Sequence, residues 1–76
     1  MNDLEKLVQV RSLTKTGAAR AIRNGAQVTQ SEIAEAVGVS ISTVCRWELG
    51  ERRPQGQSAL RYAEVLNSLV TRGWTV

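Results

Sequence analysis

Histidine is absent from this sequence of 76 residues, and Cys45 is its one cysteine. A single cysteine cannot form an internal disulfide bond, and this pattern favours a reducing, intracellular environment. Without histidine the chain can form neither a Cys/His metal site nor a histidine-based acid–base centre. We therefore expect no metal ion, no cofactor, no small-molecule substrate and no enzymatic activity.

Long hydrophobic runs are also missing. No apolar stretch approaches the roughly 20 residues that a membrane-spanning helix requires. The N-terminus begins with the acidic Asp3, where a signal peptide would carry basic residues. We expect a cytoplasmic protein that does not contact a membrane.

Aromatic residues are scarce, with no phenylalanine, two tryptophans and one tyrosine. The core must therefore consist mainly of Leu, Val, Ile and Ala, which favours a helical bundle over a β-sandwich. A chain of this length has room for one small domain. The composition predicts a single all-α domain over residues 1–76.

Hydrophobic periodicity predicts two helices before the centre of the chain. The first, an N-terminal addition, covers about residues 3–12 and turns three aliphatic residues inward: Leu4, Leu7 and Val8. Thr14 or Thr16 is the predicted N-cap of the second helix. Its expected inward residues are Ala18, Ala21 and Ile22.

The most informative stretch is residues 30–49, where two amphipathic patterns meet at Gly38. Thr29 and Glu32 have the spacing of a capping box, which starts a third helix at about Gln30. Ser40 can cap a fourth helix over about residues 41–49. The predicted buried residues of the third and fourth helices are Ile33, Ala34, Val37, Val44 and Trp47. Two helices joined by such a short turn are typical of a helix-turn-helix.

A last helix over about residues 57–70 would close the bundle. Its apolar stripe consists of Leu60, Ala63, Leu66, Leu69 and Val70, with Tyr62 at the margin. The predicted architecture is a compact five-helix bundle.

The net charge is +3, and basic residues lie on both sides of the motif: Lys15, Arg20 and Arg23 before it, and Arg46, Arg52, Arg53 and Arg61 from its second helix onward. This distribution fits the binding of a polyanion. Solvated helix faces would have the same appearance.

Residues about 15–69 resemble the Cro/CI-type (XRE-like) helix-turn-helix family of phage and bacterial repressors. The matching residues are Ile22-Arg23, Val28-Thr29-Gln30, Glu32-Ile33-Ala34, Val37-Gly38-Val39-Ser40, Thr43-Val44, Arg46-Trp47-Glu48, Gly50 and Arg53-Pro54. The sequence departs from the family pattern at Gly25, Gln27 and Leu49. The resemblance implies a lambda-repressor-like DNA-binding fold whose second motif helix lies in the major groove.

On this resemblance, the candidates for reading base edges are Ile41, Ser42, Cys45 and Arg46. Arg46 is the strongest because a guanidinium can donate two parallel hydrogen bonds to guanine. The structural alternatives are an ion pair for Arg46, a helix-start hydroxyl for Ser42 and a core or interface role for Ile41.

Five further residues are candidates for phosphate contacts that position the domain: Gln30, Thr43, Lys15, Arg52 and Arg53. Helix initiation is the competing role for Gln30, and a hydrogen bond within its own helix is the competing role for Thr43. The resemblance also pairs Arg23 with Glu48 in a structural salt bridge.

The expected function is that of a phage or bacterial Cro-type or immunity-type repressor that occupies a double-stranded DNA operator. An antitoxin-type autoregulator and a protein-interaction adaptor with the same fold are the alternatives. Weak homodimerisation, or pairing on DNA, is expected through apolar residues of the C-terminal region: Leu69, Val70, Trp74 and Val76. Trp74 could instead pack on its own bundle.

Overall fold

The computed structural model describes residues 1–71 and contains five α-helices in that range. They are α1 (Asp3–Thr16), α2 (Ala18–Gly25), α3 (Gln30–Val37), α4 (Ile41–Glu48) and α5 (Gly56–Thr71). This confirms the predicted all-α, five-helix architecture. Within residues 1–71, no helix has the length and hydropathy that crossing a membrane requires.

The first helix is longer than the predicted span of about 3–12. It continues to Thr16 and ends at Gly17, whose φ of +86° is easily adopted only by glycine. Gly17 is also the N-cap of α2, so the predicted caps Thr14 and Thr16 were wrong. The two hydroxyls donate to carbonyls within α1, Thr14 to that of Arg11 and Thr16 to that of Ser12, each at 3.0 Å. The Thr16 oxygen also accepts from the amide of Ala18, the first residue of α2, at 3.4 Å.

The inward face of α1 also differs from the prediction. Val10 is fully buried, whereas Leu4 and Val8 are 68% and 59% exposed. Leu7, Val10 and Thr14 form the inward row, at spacings of three and four residues. Leu7 belongs both to the predicted row with Leu4 and Val8 and to a second row that contains Val10. Packing against α5 buries the second row.

The second helix buries Ala19 rather than Ala21, which is exposed. Ile22 is half-buried and packs against the core as expected. Helix α2 begins directly after Gly17, which is also the C-cap of α1. The small side chain of Ala19 lies in the core.

The two helices of the motif form as predicted. The Thr29 hydroxyl accepts from the Glu32 amide at 3.0 Å, and the Glu32 carboxylate accepts from the Thr29 amide at 2.9 Å. Gly38 ends α3 with a φ of +87°, and Ser40 caps α4 by accepting from the Thr43 amide. All five predicted core residues of the motif are buried. Helix α4 ends at Glu48, one residue before the predicted end.

Tyr62 is fully buried, so its predicted place at the margin of α5 was wrong. Its ring stacks on Trp47 with a centroid distance of 4.7 Å, which joins α5 to α4. The Tyr62 hydroxyl has no hydrogen-bond partner among the described residues. Burial raises the pKa of this phenol, and the nearby negative charge of Glu48 raises it further.

A buried ion pair fastens α2 to α4. The Arg23 guanidinium donates to both carboxylate oxygens of Glu48, with Nη2 at 3.0 Å from Oε1, and Nη1 donates to the Val28 carbonyl at 2.9 Å. The side chain of Glu48 is 2% exposed and that of Arg23 is 11% exposed. The hydrogen bond with Glu48 raises the pKa of Arg23 although burial opposes this. This is the pair that the family resemblance implies.

Val10→Ala should lower the free energy of unfolding by about 2 kcal/mol, because two buried methyl groups are lost and a small cavity remains. Val8→Ala is the matched control on the same helix, and its exposed side chain should change stability by less than about 0.5 kcal/mol. Urea denaturation of both variants measures the difference. Equal losses would mean that α1 does not dock through Val10.

Arg23→Met should lower the free energy of unfolding by about 3–5 kcal/mol, because it leaves the Glu48 carboxylate buried without its cation. Lys6→Met removes the other ion pair of residues 1–71, in which the Glu64 side chain is 61% exposed. That control should cost less than about 1 kcal/mol. Thermal unfolding by circular dichroism compares the two, and similar midpoints would contradict the assigned role of Arg23.

Tyr62→Phe should leave the free energy of unfolding unchanged or raise it by up to about 1 kcal/mol, because it removes a buried hydroxyl that has no partner. Tyr62→Leu should be destabilising, since it loses the stacking on Trp47. Denaturant titration of the two variants tests this. A clear loss of stability in Tyr62→Phe would show that the hydroxyl is hydrogen-bonded in solution.

Candidate nucleic-acid interface

Helix α4 turns one side to the core and the other to solvent. Val44, Trp47 and Glu48 are buried. The opposite side carries Ser42 and Arg46, which are exposed and one turn apart. Because the inward residues set the rotation of α4 about its axis, they also determine which side chains point outward. A helix exposed in this way has the dimensions that fit the major groove of DNA.

Arg46 is exposed on this outward face, in the last turn of α4. Within residues 1–71 the ion pairs are Lys6–Glu64 and Arg23–Glu48, so Arg46 is not held by a described carboxylate. Its hydrogen-bond donors therefore face solvent, in the fork geometry that can bind two acceptors side by side.

The remaining base-reading candidates lie around Arg46 at different depths. Ile41 is 51% exposed at the start of α4, outside the buried core. Cys45 is half-buried at the edge of the face. Leu49, at the C-cap of α4, is 58% exposed and extends the face beyond Arg46. The outward surface of α4 thus combines one cation with aliphatic and small polar groups.

Gln30 is half-buried at the first position of α3, and its amide nitrogen donates to Glu48 Oε1 at 3.0 Å. Glu48 therefore binds both Arg23 and Gln30. The sequence predicted the contact with Arg23 but not the contact with Gln30. Gln30 keeps a second N–H and its carbonyl oxygen for other partners. It lies at a helix N-terminus, where free backbone amides and the helix dipole favour an anion.

Thr43 is half-buried, and its hydroxyl lies 2.9 Å from the Ser40 hydroxyl. This contact joins Thr43 to the N-cap residue of α4 rather than to a group inside the helix. Thr43 also borders a shallow concavity with Arg52 and Arg53. Its side chain thus lies beside the two arginines of the α4–α5 loop.

The other three phosphate candidates, Lys15, Arg52 and Arg53, are all exposed and border one cavity at the C-terminal end of α4. Lys15 comes from α1, and the arginines come from the loop between α4 and α5. Gln30 and Thr43 do not line this cavity. Residues 1–71 contain no cluster of His, Cys, Asp and Glu side chains that could hold a metal ion.

Two arginines that sequence reasoning did not select connect separate segments of this part of the molecule through hydrogen bonds. The Nε atom of Arg11 donates to the Pro54 carbonyl at 3.0 Å, which attaches the α4–α5 loop to α1. Arg61 on α5 donates to the Val37 carbonyl at 3.3 Å, at the end of α3. Both bonds join segments that are distant in the chain, so no local pattern signals them.

The proposed dimer residues are only partly described. Leu69 is half-buried and packs against the core, and Val70 is 49% exposed. Trp74 and Val76 lie outside the described residues. The dimer therefore stays a prediction.

Comparison with known proteins places the motif in a family. The helix-turn-helix model HTH_3 matches residues 20–71, from within α2 to the end of α5, and leaves α1 outside the match. No curated protein and no solved structure matches the chain significantly. The family match covers more than half of the chain and agrees with the resemblance noted in the sequence. The protein belongs to the helix-turn-helix family of XRE-type, Cro/CI-like DNA-binding transcription regulators.

Proposed function

We propose that this regulator is a sequence-specific repressor of the phage or bacterial Cro or immunity type, which occupies a double-stranded DNA operator and excludes polymerase. The observation that carries the proposal is the outward face of α4, where Arg46 is exposed and held by no described carboxylate. A DNA-binding regulator of this family needs no catalytic group on that face. Occupancy of the operator is sufficient for repression.

Base reading is assigned to four residues of α4. Arg46 donates two hydrogen bonds to O6 and N7 of a guanine. Ser42, one turn earlier, bonds to a neighbouring base edge and discriminates weakly because a hydroxyl both donates and accepts. Ile41 packs on a thymine methyl group, and Cys45 borders the same bases from the edge of the face.

Phosphate contacts on both sides of the groove fix the position of α4 on the duplex. Gln30 binds a phosphate at the N-terminus of α3, using the N–H that Glu48 leaves free. Lys15, Arg52 and Arg53 bind backbone at the other end of α4, and Thr43 lies between them and the motif turn. These contacts contribute affinity without reading sequence.

The Arg23–Glu48 pair gives the interface its rigidity. Glu48 belongs to α4 and binds the side chain of Gln30 on α3 as well as Arg23 on α2. The base-reading helix and the phosphate contact at Gln30 are therefore held at a defined distance before DNA arrives. Preorganisation of this kind reduces the ordering cost of binding.

Selection from a pool of random duplexes at near-physiological salt tests the proposal directly. The purified chain should enrich a short motif that contains a guanine, and the symmetry of that motif reports the stoichiometry. A palindrome indicates two copies on adjacent half-sites, and sedimentation with and without DNA then measures the dimer. No enrichment, where a control repressor succeeds, would overturn sequence-specific binding and favour a protein-interaction adaptor.

Arg46→Ala should weaken binding to the selected site by about 1–3 kcal/mol and leave nonspecific binding nearly unchanged, because it removes a contact to one base. Arg46→Lys is the control that retains the charge but not the fork, and it should lose most of the same preference. Fluorescence anisotropy on selected and scrambled duplexes measures both. Equal losses on the two duplexes would contradict base reading.

Arg53→Ala should weaken binding to every duplex and reduce the slope of log K against log salt by about one, because one phosphate contact disappears. The base preference measured on substituted sites should stay the same. Anisotropy titrations at several salt concentrations give the slope. An altered base preference with an unchanged slope would assign Arg53 to base reading.

A further inference from the structure

Leu49 is an exposed aliphatic residue at the end of α4 that the proposed function does not use. Its side chain is 58% exposed, and it stands at one of the positions where the sequence departs from the family pattern. A single exposed leucine is ordinary on a protein surface. Leu49 is distinguished by its fixed direction and by the charges around it.

The backbone presents Leu49 as a continuation of α4. Its φ of −81° and ψ of −6° are helical, and its amide donates to the Cys45 carbonyl at 3.0 Å. Leu49 lies three residues after Arg46 and seven after Ser42, and residues at these spacings share one side of a helix. The side chain of Leu49 therefore completes the outward face that carries Ser42 and Arg46.

The chain turns away directly after this residue. Gly50 has a φ of +75°, which glycine adopts without strain. The amides of Glu51 and Arg52 both donate to the Arg46 carbonyl, at 2.9 and 3.3 Å. These hydrogen bonds close the end of α4 and hold the backbone on the C-terminal side of Leu49 in place.

Cations surround Leu49. It borders the cavity at the C-terminal end of α4, and none of the described residues that line this cavity is acidic. The cations that line the same cavity are Arg11, Lys15, Arg52 and Arg53. An apolar protein surface packed on Leu49 would remove these cations from water without compensation, which is unfavourable. The surroundings therefore favour a ligand that carries an apolar group on an anionic framework.

Duplex DNA is such a ligand. Its backbone is anionic, and the apolar group that it presents in the major groove is the C5-methyl of thymine. We propose that Leu49 is a further specificity-determining residue, which packs on the C5-methyl group of a pyrimidine beside the guanine that Arg46 binds. In unmodified DNA this pyrimidine is thymine, and 5-methylcytosine carries the same group. The inference rests on the proposed function and adds an aliphatic contact to the four base-reading residues.

This contact is separate from that of Ile41, which is exposed at the other end of α4. The two residues lie eight positions apart, or roughly 12 Å along the axis at about 1.5 Å per residue. Successive base pairs are about 3.4 Å apart. Leu49 and Ile41 must therefore reach different base pairs, and their methyl contacts can be measured separately.

Deoxyuridine tests the assignment, because it replaces thymine and lacks only the methyl group. Each thymine of the selected duplex is replaced in turn, and fluorescence anisotropy measures binding. At one position beside the guanine, the replacement should weaken binding of the native protein by about fourfold, the effect expected for the loss of one buried methyl group. Leu49→Ala should bind the unmodified duplex more weakly by at least a similar factor and be insensitive to deoxyuridine at that position.

Val8→Ala is the matched control, since Val8 is an aliphatic residue of α1 with a similar exposed fraction, 59%, and does not line the cavity. It should show the deoxyuridine profile of the native protein. Ile41→Ala should lose its sensitivity at a different position. A Leu49→Ala variant with the native profile at every position would overturn the proposal, as would equal weakening of this variant on selected and scrambled duplexes.

5-Methylcytosine separates the two sources of the methyl group. If the base beside the guanine is cytosine, its methylation should strengthen binding of the native protein by about fourfold and leave Leu49→Ala unchanged. A selected motif with no Leu49-dependent methyl at any thymine or 5-methylcytosine refutes this inference alone. A chain that selects no motif refutes the proposed function, and Leu49 then has no base to contact.

Discussion

The buried carboxylate of Glu48 is the constraint on which the arrangement of the motif depends. A carboxylate with a side chain 2% exposed is stable only with a cation and further hydrogen-bond donors. Arg23 provides the cation from α2, and Gln30 provides a further donor from α3. Three helices are therefore oriented around one side chain, and the outward face of α4 follows from that orientation.

Around this centre, the domain combines a family unit with an added helix. Residues 20–71 match the family, and α1 precedes them. Val10 of α1 is fully buried in the common core, so the added helix is part of the hydrophobic interior. Its Arg11 reaches the buried Pro54 in the loop behind α4. A helix outside the family unit thus contributes to the core and to the surface at the C-terminal end of α4.

Local signals predicted the motif well because the interactions that form it are local. The Thr29–Glu32 capping box and the Ser40 cap each act across three residues, and Gly38 ends α3 through its own backbone conformation. The rotation of α4 followed from Val44 and Trp47 on one side, which left Ser42 and Arg46 on the other. The prediction was wrong where the spacing of apolar residues along a helix fitted two arrangements equally well, as for the inward face of α1 and the burial of Tyr62.

The sequence by itself therefore determined the all-α class, the two motif helices and the family, because caps, glycine turns and apolar spacing lie within a few residues of one another. Only the tertiary structure decided that Val10 rather than Val8 is buried, that Gln30 binds Glu48, and that Lys15 borders the same cavity as Arg52 and Arg53. Val8 and Val10 lie 2 positions apart on different sides of α1, whereas Lys15 and Arg53 lie 38 positions apart in separate segments of the chain. Packing selects among such alternatives by burial and by the pairing of buried charge, which no single segment of the chain can specify.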